Sequence, residues 1–251
     1  MKNNDQKQAV RDHYGKIAQT AGQGCGCSCG CNSDKDTAVE ISLNGLYPDA
    51  DKDIVRDADL GLGCGSPGKF SGLKPGMTVL DLGSGAGIDV FLAAREVGPT
   101  GKVVGLDMTD EMLALANKNK QKLGMPNTEF RKGEIEQMPV DSGTVDHVIS
   151  NCVINLVPDK RKAFSEIFRV LKKGGSFTVS DIVYTGEMND EYRKDLELWA
   201  SCVSGALEKS EYLDIIKHAG FSNISVVDER SFPVPDGTAF VPLSITVKAS
   251  K

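Results

Sequence analysis

Apolar residues along this chain follow two alternating periodicities. Between residues 77 and 183, five short β-branched or apolar runs read as strands: MTVLDL (77–82), KVVGLD (102–107), TEFRKG (128–133), VDHVIS (145–150) and SFTVSDIV (176–183). Between several of them the spacing is helical, in IDVFLAAREV, in TDEMLALANKNKQKLG and in PDKRKAFSEIFRVLKKGG. Thr109 is the expected N-cap of the second helix, Gly124 lies past its end, and Lys-Lys-Gly-Gly should stop the third. The last third adds two helices, 189–202 and 210–219, and two strands near NISVVDE and FVPLSITVKA. Segments alternating in this way predict an α/β fold, a doubly wound, mostly parallel seven-stranded sheet with helices on both faces.

The pattern ahead of residue 77 is different. Residues 4–19 predict a short helix, and residues 20–36 (TAGQGCGCSCGCNSDKD) lose all apolar periodicity and read as a mobile loop unless something binds it. Residues 51–59 suit a polar helix. In the adjoining GLGCGSPGKF, Gly61, Gly63, Gly65, Gly68 and Pro67 argue against regular structure and leave a second flexible, thiol-bearing loop. Three regions result: an N-terminal helix with cysteine-bearing loops (1–70), a ligand-binding core (71–185), and helices with the last strands (186–251).

Composition narrows the function classes. With 251 residues, 40% hydrophobic and 25% charged, the chain suits one globular core with an elaboration. A net charge of −6 gives no grip on phosphate backbones, so nucleic acid is not an expected partner. The densest basic cluster, Lys160-Arg161-Lys162, reads as a solvated helix face. No apolar run approaches the roughly 18 residues of a membrane span, and the polar N-terminus lacks a secretory stretch. The expectation is a cytoplasmic protein with no membrane partner and reduced thiols.

The strand-to-helix turn VLDLGSGAGID carries Gly83, Gly85 and Gly87 at alternate positions, with Asp81 two residues ahead of the first. Glycine there lets backbone approach a ligand without a Cβ in the way. A dinucleotide fingerprint needs glycine where Ile88 stands, so a nicotinamide cofactor is disfavoured. Asp107, ending the next strand, can accept from both ribose hydroxyls of a nucleoside. Asp81 and Asp107 together would repel a pyrophosphate and suit a cation. A nucleoside with a positive centre and no phosphate describes S-adenosylmethionine. The stretch resembles motif I of the Rossmann-like class I methyltransferases, which implies roles for Ser84 in the turn, Met108 beside the ribose carboxylate, and Glu134 and Ile135 at the adenine.

The segment directly after the fourth strand, Asn151-Cys152-Val153-Ile154-Asn155, should face the transferable methyl. Of the seven cysteines, Cys25, Cys27, Cys29 and Cys31 share one loop, Cys64 lies in another, and Cys152 and Cys202 fall at element ends. Thiols gathered on loops near a methyl donor suggest a soft, thiophilic acceptor. GLGCGSP, DLGSGAGID, SNCVINLVPDK and LELWASCVSGAL resemble successive signature segments of the arsenite S-adenosylmethionine methyltransferases, from about residue 10 to 230.

That resemblance implies that Cys152 and Cys202 hold trivalent arsenic beside the cofactor. It also implies that Cys64 pairs with an N-terminal cysteine for redox turnover or as a further arsenic ligand, leaving Cys25, Cys27, Cys29 and Cys31 as alternatives. Tyr14, in a helix that lids the cofactor, and Asn151 join the cofactor set by the same resemblance. Arsenite delivered as a thiol conjugate, and thioredoxin or another thiol reductant, are the implied partners. Arsenic bound to thiolates keeps a lone pair, so no general base is required, and His13, His147 and His218 all lie within predicted elements. The CGCSCGC tract is denser than the family pattern; a second metal site, an arsenic relay and a tail of spare thiols remain open. Two other functions stand beside the arsenite reading: a methyltransferase for a carbon, nitrogen or oxygen acceptor, and a non-catalytic metalloid binder.

Overall fold

The computed structural model describes residues 3–21, 54, 58–188, 205–232 and 239–251. In chain order these form α1 (Asn3–Thr20), α2 (Gly68–Ser71), β1 (Thr78–Leu82), α3 (Ile88–Val97), β2 (Lys102–Asp107), α4 (Asp110–Leu123), β3 (Thr128–Lys132) and β4 (Val145–Asn151). After β4 come a 3-10 turn (Ile154–Leu156), α5 (Lys160–Val170), β5 (Leu171–Gly186), α6 (Lys209–His218), β6 (Ser222–Ser231) and β7 (Phe240–Ser250). The strands make one seven-stranded sheet in the order β3-β2-β1-β4-β5-β7-β6. Strands β1 to β5 are mutually parallel, and β7 runs antiparallel between β5 and β6.

Parallel strands covered on both faces need apolar residues at successive positions rather than alternate ones. On β1, Leu80 and Leu82 face a core with Phe164, Ile167, Phe177, Tyr212 and Phe221 beneath α5 and α6. Val79 faces the opposite side, with Val90, Phe91, Ala94, Val97 and Val103 beneath α3. Helix α5 buries Ala163, Phe164, Ile167 and Val170, the spacing of one helical stripe, and Asp159 caps it by accepting the Lys162 N–H at 2.9 Å. At the sheet edge, β6 has little cover and alternates half-buried with exposed residues.

Four expectations change. Helix α5 stops at Val170, and the chain enters β5 at Leu171, so β5 is far longer than 176–183. Leu171 is fully buried and pairs with Val145, and burial in the sheet outweighs the helical preference of the Leu-Lys-Lys run. Lys160 is not on a solvated face: it is buried, and its Nζ donates to the carbonyls of Asn155 at 2.9 Å and Val157 at 3.0 Å. Thr109 stands at the N-cap of α4 without a side-chain cap, and its N–H donates to Asp107 Oδ1 at 2.9 Å. Within the second glycine loop, Gly68–Ser71 closes a helical turn, with Ser71 Oγ donating to Pro67 O at 2.8 Å. Of the helices expected at 51–59 and 189–202, the first is described only at Ile54, Ala58 and Asp59, and the second lies outside the described residues.

Phe164 stacks edge-on to Tyr212 with centroids 5.5 Å apart and lies 5.8 Å from Phe177. Phe164→Ala is expected to cost about 3–5 kcal/mol in equilibrium urea unfolding, whereas Val227→Thr on the exposed edge strand should stay within about 0.5 kcal/mol.

Candidate active site

The strand order reverses between β1 and β4, and the crevice beyond their carboxyl ends holds a deep cavity. Its floor is the glycine turn after β1, where Gly83, Gly85 and Gly87 have φ of +66°, +50° and +96°. Their uses differ. A Cβ on Gly83 would lie 2.4 Å from Val153, and one on Gly87 would lie 2.8 Å from Phe91, whereas one on Gly85 would meet nothing within 4 Å. Gly85 therefore opens the cavity, while Gly83 and Gly87 let the turn pack. The Ser84 hydroxyl is buried at this floor with no hydrogen-bond partner among the described residues.

Three carboxyl groups approach the cavity from different elements: Asp81 on β1, Asp89 in the first turn of α3, and Asp107 at the end of β2. Asp107 accepts the Gly85 and Thr109 N–H groups, each at 2.9 Å, and this fixes its orientation. Burial raises the Asp107 carboxyl above its ordinary value, against those hydrogen bonds. Asp81 is raised well above 3.8, first by burial and then by Asp89 and Asp107. The crevice is therefore a region of negative potential that a cation would relieve.

Helix α1 roofs the cavity with Lys7, Val10 and Tyr14, which share one helical face. Lys7 Nζ pairs with Glu134 Oε2 at 2.7 Å and Glu136 Oε2 at 2.5 Å, and Arg11 Nη2 pairs with Glu134 Oε1 at 2.6 Å. These partners, the Lys7 hydrogen bond first, hold the Glu134 carboxyl below its ordinary value. Glu134 thus anchors the roof, and its oxygens keep lone pairs for a further donor.

At the far end of the cavity lies Cys152, immediately after β4. It has φ of +60°, a left-handed conformation that costs a non-glycine residue of order 1–3 kcal/mol. Its N–H is held by Ser180 O at 2.8 Å. Cys64 shares an apolar cluster with Cys152, Val10, Leu156, Ile182, Tyr184 and Phe240. The Cys64 loop is not loose as expected, because its backbone is gripped on both sides. Asn151 Oδ1 accepts the N–H groups of Cys64 at 3.0 Å and Gly65 at 3.2 Å, Asn151 Nδ2 donates to Gly65 O at 2.9 Å, and Ser244 Oγ donates to Cys64 O at 2.6 Å.

Behind the thiols lies a buried polar network. Tyr212 donates its hydroxyl to Asp181 Oδ2 at 3.0 Å, and Lys160 ties down the turn just beyond Cys152. Burial raises Asp181 to about 7 and lowers Lys160 to about 8. His147 is buried between Ser176 Oγ at 2.8 Å and Thr178 Oγ1 at 3.2 Å, and burial lowers it to about 4. It is a neutral core residue near pH 7, not a base facing the cavity.

Of the residues expected at the cofactor, Tyr14, Asp81, Gly83, Ser84, Gly85, Asp107, Met108, Glu134, Ile135 and Asn151 line this one cavity, while Gly87 packs behind it. Cys152 lines it and Cys64 sits in the adjoining cluster. Cys202 and the candidates Cys25, Cys27, Cys29 and Cys31 lie outside the described residues. Asp89 and Lys7 escape a reading of the sequence: an acidic residue in a first helical turn reads as a helix-dipole partner, and one lysine in a polar helix carries no signal. Among the described residues, no helix is long and apolar enough to cross a membrane.

Residues 73–220 match a family model described as a methyltransferase domain. The arsenite methyltransferase of Halobacterium salinarum is 41% identical over 243 residues, covering 94% of this chain and 61% of the relative. That of Aquipseudomonas alcaligenes is 33% identical, over 91% of this chain and 66% of the relative, so the chain spans less than two thirds of these curated relatives. The crystal structure of an arsenic (III) S-adenosylmethionine methyltransferase from Chlamydomonas reinhardtii superposes with a TM-score of 0.70 at 32% identity, over 85% of this chain and 73% of that one. With this fold, this glycine turn and these two buried thiols, the chain belongs to the arsenite S-adenosylmethionine methyltransferase family of class I methyltransferases.

Proposed function

We propose that the protein is an enzyme that transfers the methyl group of S-adenosylmethionine to thiolate-bound trivalent arsenic. The observation that carries this reading is that two buried thiols, Cys64 and Cys152, share one cluster beside a cavity that Cys152 lines together with Asp81, Asp89 and Asp107. S-adenosylmethionine, when bound, supplies an electrophilic methyl on a cationic sulfur. The residues present suit it. Asp81 and Asp89 would give its charged end a negative field, Asp107 has lone pairs to offer ribose hydroxyls, and Ser84 holds a buried hydroxyl without a partner among the described residues. Glu134 and Ile135 would hold the adenine, with Tyr14 and Met108 lining the same cavity.

On the acceptor side, Cys64, Cys152 and Cys202 would hold the arsenic, received from a thiol conjugate by exchange. The arsenic lone pair carries no proton, so the chain needs no general base, in keeping with His147 being a core residue. Methyl transfer formally oxidises arsenic by two electrons. Cys64 and one of Cys25, Cys27, Cys29 and Cys31 would return those electrons by closing a disulfide, which a thiol reductant such as thioredoxin reopens. Such a cycle suits the reducing cytoplasm, and arsenite detoxification is its outcome.

Incubation with methyl-labelled S-adenosylmethionine and arsenite under reductant should yield labelled arsenic species. Cys152→Ser and Cys202→Ser should each remove that product while cofactor affinity stays near wild type. Label appearing without arsenite would instead favour a carbon, nitrogen or oxygen acceptor.

Asp81 contributes a pH dependence at the cavity. Its folded-state value is raised, so at this group the folded protein holds more proton than the unfolded chain above pH 3.8, and its contribution to stability falls as pH rises from there through the raised value. A bound cation opposes that loss by favouring the ionised form. Asp81→Asn is expected to stabilise the free protein by about 1 kcal/mol, a rise of roughly 2–4 °C in Tm. It should also weaken S-adenosylmethionine binding by about tenfold or more, read by scanning and titration calorimetry.

A further inference from the structure

We propose that Asn151 is not primarily a cofactor contact but a clasp that makes cofactor binding and arsenic binding cooperative; the inference rests on the arsenic reading of Cys64 and Cys152. One side-chain amide makes four hydrogen bonds that join three elements. Three go to the Cys64 loop, at Cys64 N, Gly65 N and Gly65 O. The fourth runs from Nδ2 to Asp89 Oδ2 at 3.2 Å, into the carboxyl cluster of the cofactor cavity. Asn151 also directly precedes Cys152, whose left-handed backbone begins where the clasp ends. The residue therefore touches the segment of one thiol, adjoins the other, and reaches an acid of the cavity.

The glycines beside Cys64 serve this contact. A Cβ on Gly63 would lie 2.7 Å from Asn151 Nδ2, and one on Gly65 would lie 2.5 Å from Ser180 Oγ. Without side chains, the loop can lie flat against the ends of β4 and β5. The coupling has a direction. Asp89 shares the cavity with Asp81 and Asp107, and like charges gathered there oppose one another, as the raised Asp81 carboxyl beside Asp89 shows. A cationic ligand removes that opposition, so the Asp89 carboxylate can stay where Nδ2 donates to it. A hydrogen bond to a charged acceptor is about twice as strong as one between neutral groups. The clasp then tightens, and Cys64 is held against the cluster that contains Cys152 before arsenic arrives.

The test is a linkage measurement on the full chain. Arsenite affinity is read by equilibrium dialysis under a phosphine reductant, with and without saturating sinefungin, which carries an amine in place of the sulfonium and cannot donate a methyl. Wild type should bind arsenite about fivefold tighter or more with sinefungin present, the lower end of common coupling factors. In Asn151→Ala, and separately in Gly63→Ala, which pushes the loop off the amide without changing it, the ratio should fall to about one while both ligands still bind. A purely structural role for Asn151 would lower the affinities and leave the ratio intact. A ratio near one in wild type, or an undiminished ratio in the variants, overturns the coupling. Wild type that binds sinefungin but no arsenite overturns the reading beneath it, and that result is distinct from the others.

Discussion

Three carboxyl groups gathered around one crevice, two of them buried, set the terms for the rest of this structure. Asp81, Asp89 and Asp107 come from β1, α3 and β2, so no single element could remove the repulsion among them by shifting. Asp107 has backbone N–H partners and Asp89 has the Asn151 amide, but burial and its two neighbours still push Asp81 toward its protonated form. Buried charge without compensation costs free energy, and proteins retain it where a ligand supplies the opposite sign. The glycine turn, the roof helix and the Asn151 clasp are all arranged around that crevice. Even the roof obeys the same electrostatics: Lys7 and Arg11 of α1 are drawn to Glu134 and Glu136, the acids at the rim.

The thiol end obeys an opposite physical demand. Cys64 and Cys152 are buried among Val10, Leu156, Ile182, Tyr184 and Phe240, surroundings that penalise a free thiolate. Arsenic held by three thiolates carries no net charge, so the environment that disfavours the bare anion tolerates the adduct. On the proposed reading, the apolar cluster favours an acceptor that neutralises sulfur. Below it, Lys160 and Asp181 fix the turn after Cys152, with Lys160 gripping the Asn155 and Val157 carbonyls. Such a network holds a strained residue in place, and the left-handed Cys152 is the residue in need of holding.

Much of this is legible in the sequence because the relevant signals are local. Strand and helix periodicity yields the doubly wound sheet, and Gly83, Gly85 and Asp107 can be assigned to the ligand crevice from turn chemistry and strand ends alone. The features that stay hidden are set by contacts distant in sequence. Lys160 reads as a solvated charge because nothing nearby shows that its helical stripe turns it toward the carbonyls after Cys152. Leu171 reads as helical because its partner Val145 lies across the sheet. The Cys64 loop reads as flexible because its glycines resemble breakers, whereas they allow close approach to Asn151 and Ser180. Asn151 itself is placed at the cofactor by resemblance and lines that cavity, but its bonds to the thiol loop leave no mark in the sequence.

A cation-seeking cavity and a neutral, thiophilic cluster would conflict if they overlapped, since each would spoil the other's dielectric surroundings. Here they meet at a single boundary, the end of β4, where Asn151 faces Asp89 on one side and the Cys64 loop on the other. An amide suits that boundary because it carries no charge and can both donate and accept. An aspartate there would add a fourth acid to the crevice, and an aliphatic residue would leave the Cys64 and Gly65 N–H groups without their acceptor. The two halves of the site can therefore keep opposite electrostatic characters and still sense one another through one side chain.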